Sequence, residues 1–201
     1  MHRSSSRVDR MYGVNIWGRP NSPLEKRRYR LGQHGKITRK KVSNYGLQLL
    51  EKQKVATYYN ITEAQLKKTF KVALKDKKIN SGVSLISNLE RRLDQVVYRL
   101  GFAPTIFSAR QIVSHKHVLV DGQPVNIPSY LLKAGQVVSI RQKSQNIALI
   151  SVNRNRELTS YLRLDSDFSG TFLKLPSSLE EVPFPFQVNP SAIVEKYIKV
   201  L

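Results

Sequence analysis

At 201 residues the chain can hold one ordinary domain or two small ones, and its 40% hydrophobic content suffices for a core with little to spare. The 34 Lys and Arg against 14 Asp and Glu leave a net charge of +20, which calls for a polyanionic partner. The absence of cysteine excludes disulfides, thiolate catalysis and cysteine-bound zinc and fits a reducing compartment. No apolar run approaches the roughly 18 residues that span a bilayer, and no basic helix carries a lipid-facing aromatic stripe, so nucleic acid is expected rather than membrane.

The charge is uneven. Residues 1–50 carry 12 Lys and Arg against 2 acids, residues 51–89 and 90–143 carry 8 against 3 each, and residues 144–201 carry 6 against 6. The first three-quarters are therefore expected to face the polyanion, and the last quarter to support the fold or meet protein. The opening MHRSSSRVDR has no apolar h-region, so no secretory signal is read. Its Arg and Ser suit a mitochondrial transit peptide, but Asp9 and its brevity favour a solvated, RNA-facing arm. Residues 1–42 as a whole read as an extended basic arm, rich in Gly, Pro and Ser and nearly without apolar periodicity. Two readings stand: a disordered tail, or an extension that orders on RNA. In the second, Tyr12, Trp17 and Tyr29 offer stacking surfaces, and Gly32 and Gly35 let backbone approach phosphate.

Helical periodicity begins at Ser43, with Leu47, Leu50 and Val55 expected on one face. Thr62-x-x-Gln65 has the form of a capping box, followed by Leu66, Phe70, Ala73 and Leu74 at helical spacing and lysines on the remaining arc. Ser81-Gly82 starts a further helix whose stripe of Leu85, Ile86, Leu89, Leu93, Val96, Val97 and Leu100 predicts one long element ended by Gly101. A short helix is expected over 108–114, with Ala109, Ile112 and Val113 inward and Arg110 and Gln111 outward. Val118–Val120 turns at Asp121-Gly122 as a hairpin arm. Val137–Ile140 reads as a strand, and two more are expected near Gly170. A proline-broken stretch then leads to the apolar AIVEKYIKVL.

Arginine suits phosphate because its planar fork donates two parallel hydrogen bonds. Arg92 on the long helix, Arg110 on the short one, and His115, Lys116 and His117 at the helix–strand corner are the cations placed to reach a backbone. Ser108 is expected to cap the short helix and leave its N-terminal N–H groups for an anion. For Arg92 the competing reading is an internal pair with Asp94 or Glu90. For His115 and His117 it is simple burial or solvent exposure.

The run RLDQVVYRLGFAPTIFSARQIVSHKHVLVDGQPVNIPSY resembles the S-four RNA-binding domain, in the version found in the bacterial-type small-subunit ribosomal protein S-four family. RRYRLGQHGK resembles that family's basic signature, VSNYGLQLLEKQKV and TEAQLKKTF its first helices, and VNPSAIVEKYIKVL its closing segment. The resemblance implies an α+β fold. A basic N-terminal arm (1–42) precedes a helical domain (43–89, completed by about 180–201). An S-four RNA-binding module of two helices and a small β-sheet, with its following strands, spans 90–179. It implies a structural constituent of the small ribosomal subunit that clamps a multi-helix junction in the 5′ domain of the rRNA and nucleates assembly. Such proteins also sit near the mRNA entrance path, beside small-subunit proteins at an interface affecting decoding accuracy. The candidate RNA contacts are Arg7, Arg10, Arg27, Arg28, Arg30, Gln33, His34, Lys36, Arg39, Lys40 and Lys41 in the arm and Tyr45 on the first helix. In the module they are Arg92, Ser108, Arg110, Gln111, His115, Lys116 and His117.

Many members hold zinc through N-terminal cysteines; none is present here, so no metal or other cofactor is expected. The family's leading basic stretch is reduced to something like RVDRMYG. NIWGRPNSP, PTIFSARQ and EVPFPFQVNP resemble alphaproteobacterial members and hence mitochondrially encoded relatives. A mitochondrial ribosome is therefore the expected location, with the bacterial cytoplasm as alternative. The rival classes are an RNA-modifying or tRNA-linked enzyme and a ribosome-associated accessory factor carrying the same module. Catalysis is not expected: Ser114 and His115 are sequence neighbours that point apart on a helix, and no phosphate-cradling glycine loop appears.

Overall fold

The computed structural model describes residues 5–36, 42–75, 79–147, 150 and 158–198. Among these the fold is α+β, with eight α-helices and one five-stranded antiparallel sheet. The chain divides into one unit of Met1–Lys67 with Phe184–Leu201 and a second of Lys68–Pro183.

In the first unit the basic arm carries more structure than its composition suggests. Helix α1 (Ser5–Tyr12) buries Val8 and Asp9. The Asp9 carboxylate accepts from the Ile16 N–H at 3.2 Å, Arg19 Nη2 at 3.2 Å and Ser22 Oγ at 3.1 Å. One buried charge, satisfied three ways, therefore ties residues 9 to 22 into a knot. Ser22 also caps the short helix α2 (Pro23–Lys26), which has proline in its first turn.

Helix α3 (Asn44–Tyr58) starts at an N-cap Ser43, as its pattern predicts. The expected face holds at Val55 only: the buried residues are Gln48, Lys52, Val55 and Tyr58, while Leu50 is half-buried and Leu47 is 51% exposed. These polar side chains are buried because each finds a partner. Gln48 Nε2 donates to Glu195 at 2.7 Å on α8 (Pro190–Ile198), and Lys52 Nζ lies 2.7 Å from Glu63. Tyr197 of α8 donates to the same Glu63 at 3.0 Å. The C-terminal segment thus completes the helical unit. The proline-broken stretch contributes Phe184 and Phe186, which pack on Tyr58 at ring separations of 5.2 and 5.7 Å.

Helix α4 (Glu63–Ala73) opens with both bonds of the Thr62/Gln65 capping box. It buries Leu66, Phe70 and Ala73, whereas Leu74, expected with them, is exposed. The boundary between the units falls inside this helix, between Lys67 and Lys68.

In the second unit the long apolar stripe is not one helix. It is α5 (Ser81–Glu90) and α6 (Leu93–Arg99), separated at Arg91-Arg92, where Arg92 is extended (φ −69°, ψ 140°). Residues 128–132 cause the break. The Leu93 and Asp94 N–H groups donate to the Tyr130 and Pro128 carbonyls, and the Leu132 N–H donates to the Arg91 carbonyl. Gly101 (φ 81°) ends α6 as expected.

Glu90, fully buried at the end of α5, accepts from Arg99 Nε at 3.0 Å, Arg99 Nη2 at 2.8 Å and the Tyr161 hydroxyl at 2.8 Å. This network holds α5 in the compact unit that also contains the sheet. Burial, and then Glu90 itself, push the Tyr161 phenol far above its ordinary value, so it stays a proton donor.

Helix α7 (Ile106–Ser114) leads into strands β1 (Val118–Val120), β2 (Gln123–Pro124), β3 (Val137–Ile140), β4 (Leu162–Ser166) and β5 (Ser169–Phe172), ordered β2-β1-β3-β5-β4. Asp121 (φ 48°) and Gly122 (φ 80°) turn the first hairpin with both residues left-handed. Val118, Val120, Val138, Ile140 and Phe172 face the core. Helix α6 lies so close to β5 that a Cβ at Gly170 would fall 2.6 Å from Leu100 Cδ2.

Candidate nucleic-acid interface

The corner between α7 and β1 gathers the cations of the second unit. Helix α7 is held at its start by a capping box between Thr105 and Ser108: the Ser108 N–H donates to Thr105 Oγ1 at 3.1 Å, and the Thr105 N–H to Ser108 Oγ at 3.0 Å. Ser108 is therefore buried in the first turn two residues inside the helix rather than at its cap, and its hydroxyl is committed. Ala109, Ile112 and Val113 point inward, Gln111 is exposed and Arg110 is half-buried, as the helical period requires. Burial pushes the Asp94 carboxyl above its ordinary value, opposed by the Arg92 hydrogen bond and by the charges of Arg92 and then Arg110.

The helix ends at His115, and Lys116 turns the chain with a left-handed φ of 64°. That conformation is unusual for a residue with a Cβ. It leaves both Lys116 and His115 exposed. His117 is half-buried, and its Nδ1 shares a hydrogen bond of 2.9 Å with Ser144 Oγ. The Arg141 N–H donates to the His117 carbonyl at 2.9 Å, which brings Arg141 and the exposed Lys143 to the same corner. Arg141 and Lys143 are absent from the sequence-derived candidates. The signal was the RQK that follows β3, which alone does not show that β3 pairs with β1. Ser144 is buried and its hydroxyl meets His117, so this serine–histidine pair braces structure.

Arg92 does not join the cluster. It is 4% exposed, and Nε and Nη2 bind the buried Asp94 at 3.0 and 2.8 Å. The competing reading of an internal pair is the one the structure shows, because Arg92 sits in the break between α5 and α6 and folds back onto the carboxylate two residues on.

In the first unit, Arg7, Arg27, Arg28, Arg30, Gln33, His34 and Lys36 are exposed, and Arg39, Lys40 and Lys41 lie outside the described residues. Arg10 is largely spent internally: it donates to the Tyr29 carbonyl at 3.3 Å and the Arg30 carbonyl at 3.2 Å, with its guanidinium 4.9 Å from the Tyr29 ring. Lys36 approaches the same ring at 5.2 Å. Tyr29 thus holds a loop from Tyr29 to Lys36 that displays basic side chains. Its Gly35 is required by the chain's own backbone, since a Cβ there would sit 2.0 Å from the Arg30 carbonyl oxygen. Gly35→Ala is expected to cost about 2 kcal/mol and lower Tm by about 5 °C. Thermal unfolding checks this, and a Tm within a degree of wild type would show that the approach is not rigid.

Among the described residues no three or more His, Asp or Glu converge as a metal site, and no helix is long and apolar enough to cross a membrane. What the two surfaces offer is cations, N–H donors and aromatic faces, which suits binding to a phosphate backbone.

Comparison with known proteins agrees along the whole chain. Residues 1–90 match the ribosomal protein S4/S9 N-terminal domain and residues 91–138 the S4 domain. Small ribosomal subunit protein uS4 of Caulobacter vibrioides is 46% identical over 201 residues, covering 98% of this chain and 97% of the relative. The protein of the same name from Phenylobacterium zucineum is 48% identical over 201 residues, with 98% and 97% covered. That of Granulibacter bethesdensis is 45% identical over 199 residues, with 96% of each covered. With these alphaproteobacterial relatives matched nearly end to end, the chain belongs to the small ribosomal subunit protein uS4 family.

Proposed function

We propose that the protein is a non-enzymatic structural constituent of the small ribosomal subunit that binds its rRNA directly. The observation that carries this is continuity: similarity runs through both the N-terminal domain and the S4 domain, whereas an enzyme that merely borrows the module would match over the module alone. In this reading Arg110, Gln111, His115 and Lys116, joined by Arg141 and Lys143, meet rRNA phosphates at the corner of α7 and β1. Arg7, Arg27, Arg28, Arg30, Gln33, His34, Lys36 and the segment with Arg39, Lys40 and Lys41 grip rRNA from the other unit. Arg10, Arg92 and Ser108 position these groups instead of touching RNA, and His117 orients the corner through Ser144. The polyanion is a folded multi-helix junction in the 5′ domain, which is recognised by shape, phosphates and 2′-hydroxyls. Neighbouring ribosomal proteins, and mRNA near its entrance path, are the further partners.

The bacterial relatives favour the bacterial cytoplasm. A mitochondrial ribosome rests on the likeness of NIWGRPNSP, PTIFSARQ and EVPFPFQVNP to alphaproteobacterial members, and hence to mitochondrially encoded relatives, and on the Lys-, Ile- and Asn-leaning composition. Fractionation of the source cell, followed by sucrose-gradient sedimentation at moderate salt, tests both points. The protein is expected to travel with small subunits. Sedimentation as free protein would refute the structural role, and the fraction that holds those subunits decides the location.

A further inference from the structure

Among the described residues, the packing of α3 on α8 leaves the Lys196 ammonium without a carboxylate. Lys52 is paired with Glu63, and Glu195 is engaged by Gln48. Lys196, on the same helix as Glu195, is 5% exposed, and among the described residues its Nζ meets no carboxylate; it faces the Tyr45 side chain, and its contact with that hydroxyl lowers the phenol's pKa. Nζ lies 3.2 Å from the centre of the Tyr45 ring. Keeping an ammonium from water without an anion is costly, and a ring face returns only part of that cost. Tyr45 itself is 61% exposed. One face of its ring covers the buried cation, and the other is turned to solvent.

Two further features bear on what that outer face would take. Tyr45 stands in the first turn of α3, a helix of 15 residues whose Ser43 cap takes only the Gly46 N–H. The remaining N–H groups of that turn carry the positive end of the helix dipole and suit a phosphate. The cation behind the ring draws π density inward, which lowers repulsion toward an electron-rich flat group on the outer face. A purine offers more overlap than a pyrimidine. An unpaired nucleotide supplies base and phosphate together.

We propose that Tyr45, backed by Lys196, is a stacking platform for an unpaired purine nucleotide of the bound RNA, with the phosphate at the N-terminus of α3. The site rests on the rRNA-binding reading above and specifies one nucleotide class within it. The buried lysine costs stability and sharpens the platform.

The test uses the full chain with three probes: oligoadenylate and oligouridylate of equal length, and an rRNA fragment of the 5′-domain junction. Wild type is expected to bind oligoadenylate about fivefold more tightly than oligouridylate, a part of what one stacked base contributes, since every base stacks and the purine gains only the added overlap. Tyr45→Phe should keep that preference and Tyr45→Leu should abolish it; Tyr45→Leu also removes the ring over the buried ammonium, so its Tm should fall slightly, and binding is compared where both proteins are folded. Lys196→Met should reduce the preference about threefold while Tm holds or rises. Equal preference in wild type and Tyr45→Leu would overturn the proposal. So would the absence of any preference in wild type, or a Lys196→Met protein that melts earlier with its preference intact. Failure of wild type to select the junction fragment over scrambled RNA would instead sink the rRNA reading, and the purine preference is read separately from it.

Discussion

Glu90→Gln is expected to destabilise the unit formed by residues 68–183 by about 3–5 kcal/mol, the range for breaking a buried ion pair from one side. The substitution keeps volume and removes only charge. It leaves the Arg99 guanidinium, which binds Glu90 through Nε and Nη2 and donates to the Pro183 carbonyl at 3.3 Å, without its counter-ion in a dry environment. The Gln amide keeps one oxygen to accept from Tyr161 and Arg99 Nε but turns its NH2 against Arg99 Nη2, donor against donor. For a chain of this length the drop in Tm should be about 10 °C. The combined change Glu90→Met, Arg99→Met, Tyr161→Phe removes all three polar ends together and should recover most of that loss, because well-packed apolar groups often replace a buried pair without penalty. Chemical denaturation of both proteins measures the two values. A Glu90→Gln protein within about 1 kcal/mol of wild type would show that the network does not hold α5 to α6 and the sheet.

Reversing Arg110 and Lys116 together to Glu should weaken binding to a 5′-domain rRNA fragment by about a hundredfold. It should also flatten the dependence of log K on log salt by about two units, close to one for each phosphate that is no longer neutralised. Both residues stand at the α7–β1 corner, and Lys116 is exposed on a left-handed turn that points it outward. A matched reversal of Arg163 and Lys174 changes the net charge equally in the neutral last quarter of the chain. It should cost far less, which separates direct binding from the general field. Equal losses from the two double variants, or an unchanged salt slope, would remove the corner from the interface. Arg92 is not part of this test, since reversing it would put a second carboxylate against the buried Asp94 and unfold the unit; the Arg110 and Lys116 variant is confirmed as folded by its Tm before binding is read.

Much of the local structure is legible in the sequence because it is set by near neighbours. Ser43, Thr62 with Gln65, Gly101 and Asp121-Gly122 each act within a few residues, and each does in the structure what its chemistry implies. The module helix over 108–114 is legible in its faces but not in its start, since Thr105 and Ser108 both have capping chemistry and only the hydrogen bonds separate cap from third position. The long stripe from Leu85 to Leu100 reads as one helix because periodicity continues through a break. What stops the helix is residues 128–132, well along the chain, claiming the backbone donors of Leu93 and Asp94. Arg92 follows the same course: an arginine on a helix reads as a surface cation until the break turns it inward.

By itself the sequence determined that this is a basic, cysteine-free α+β protein built to meet a polyanion, and through its motifs the family to which it belongs. Composition and short-range spacing suffice for that, because net charge, capping and turn chemistry do not depend on distant residues. Only the tertiary structure decided which cations are available. Arg10 and Arg92 are taken by carbonyls and a carboxylate, Lys196 is buried under Tyr45, and Arg141 and Lys143 are brought beside His117 by strand pairing. A charge on one side chain reads the same in sequence whether it faces solvent or a buried partner. Desolvation and pairing distinguish the two, and both are set by residues far away in the chain.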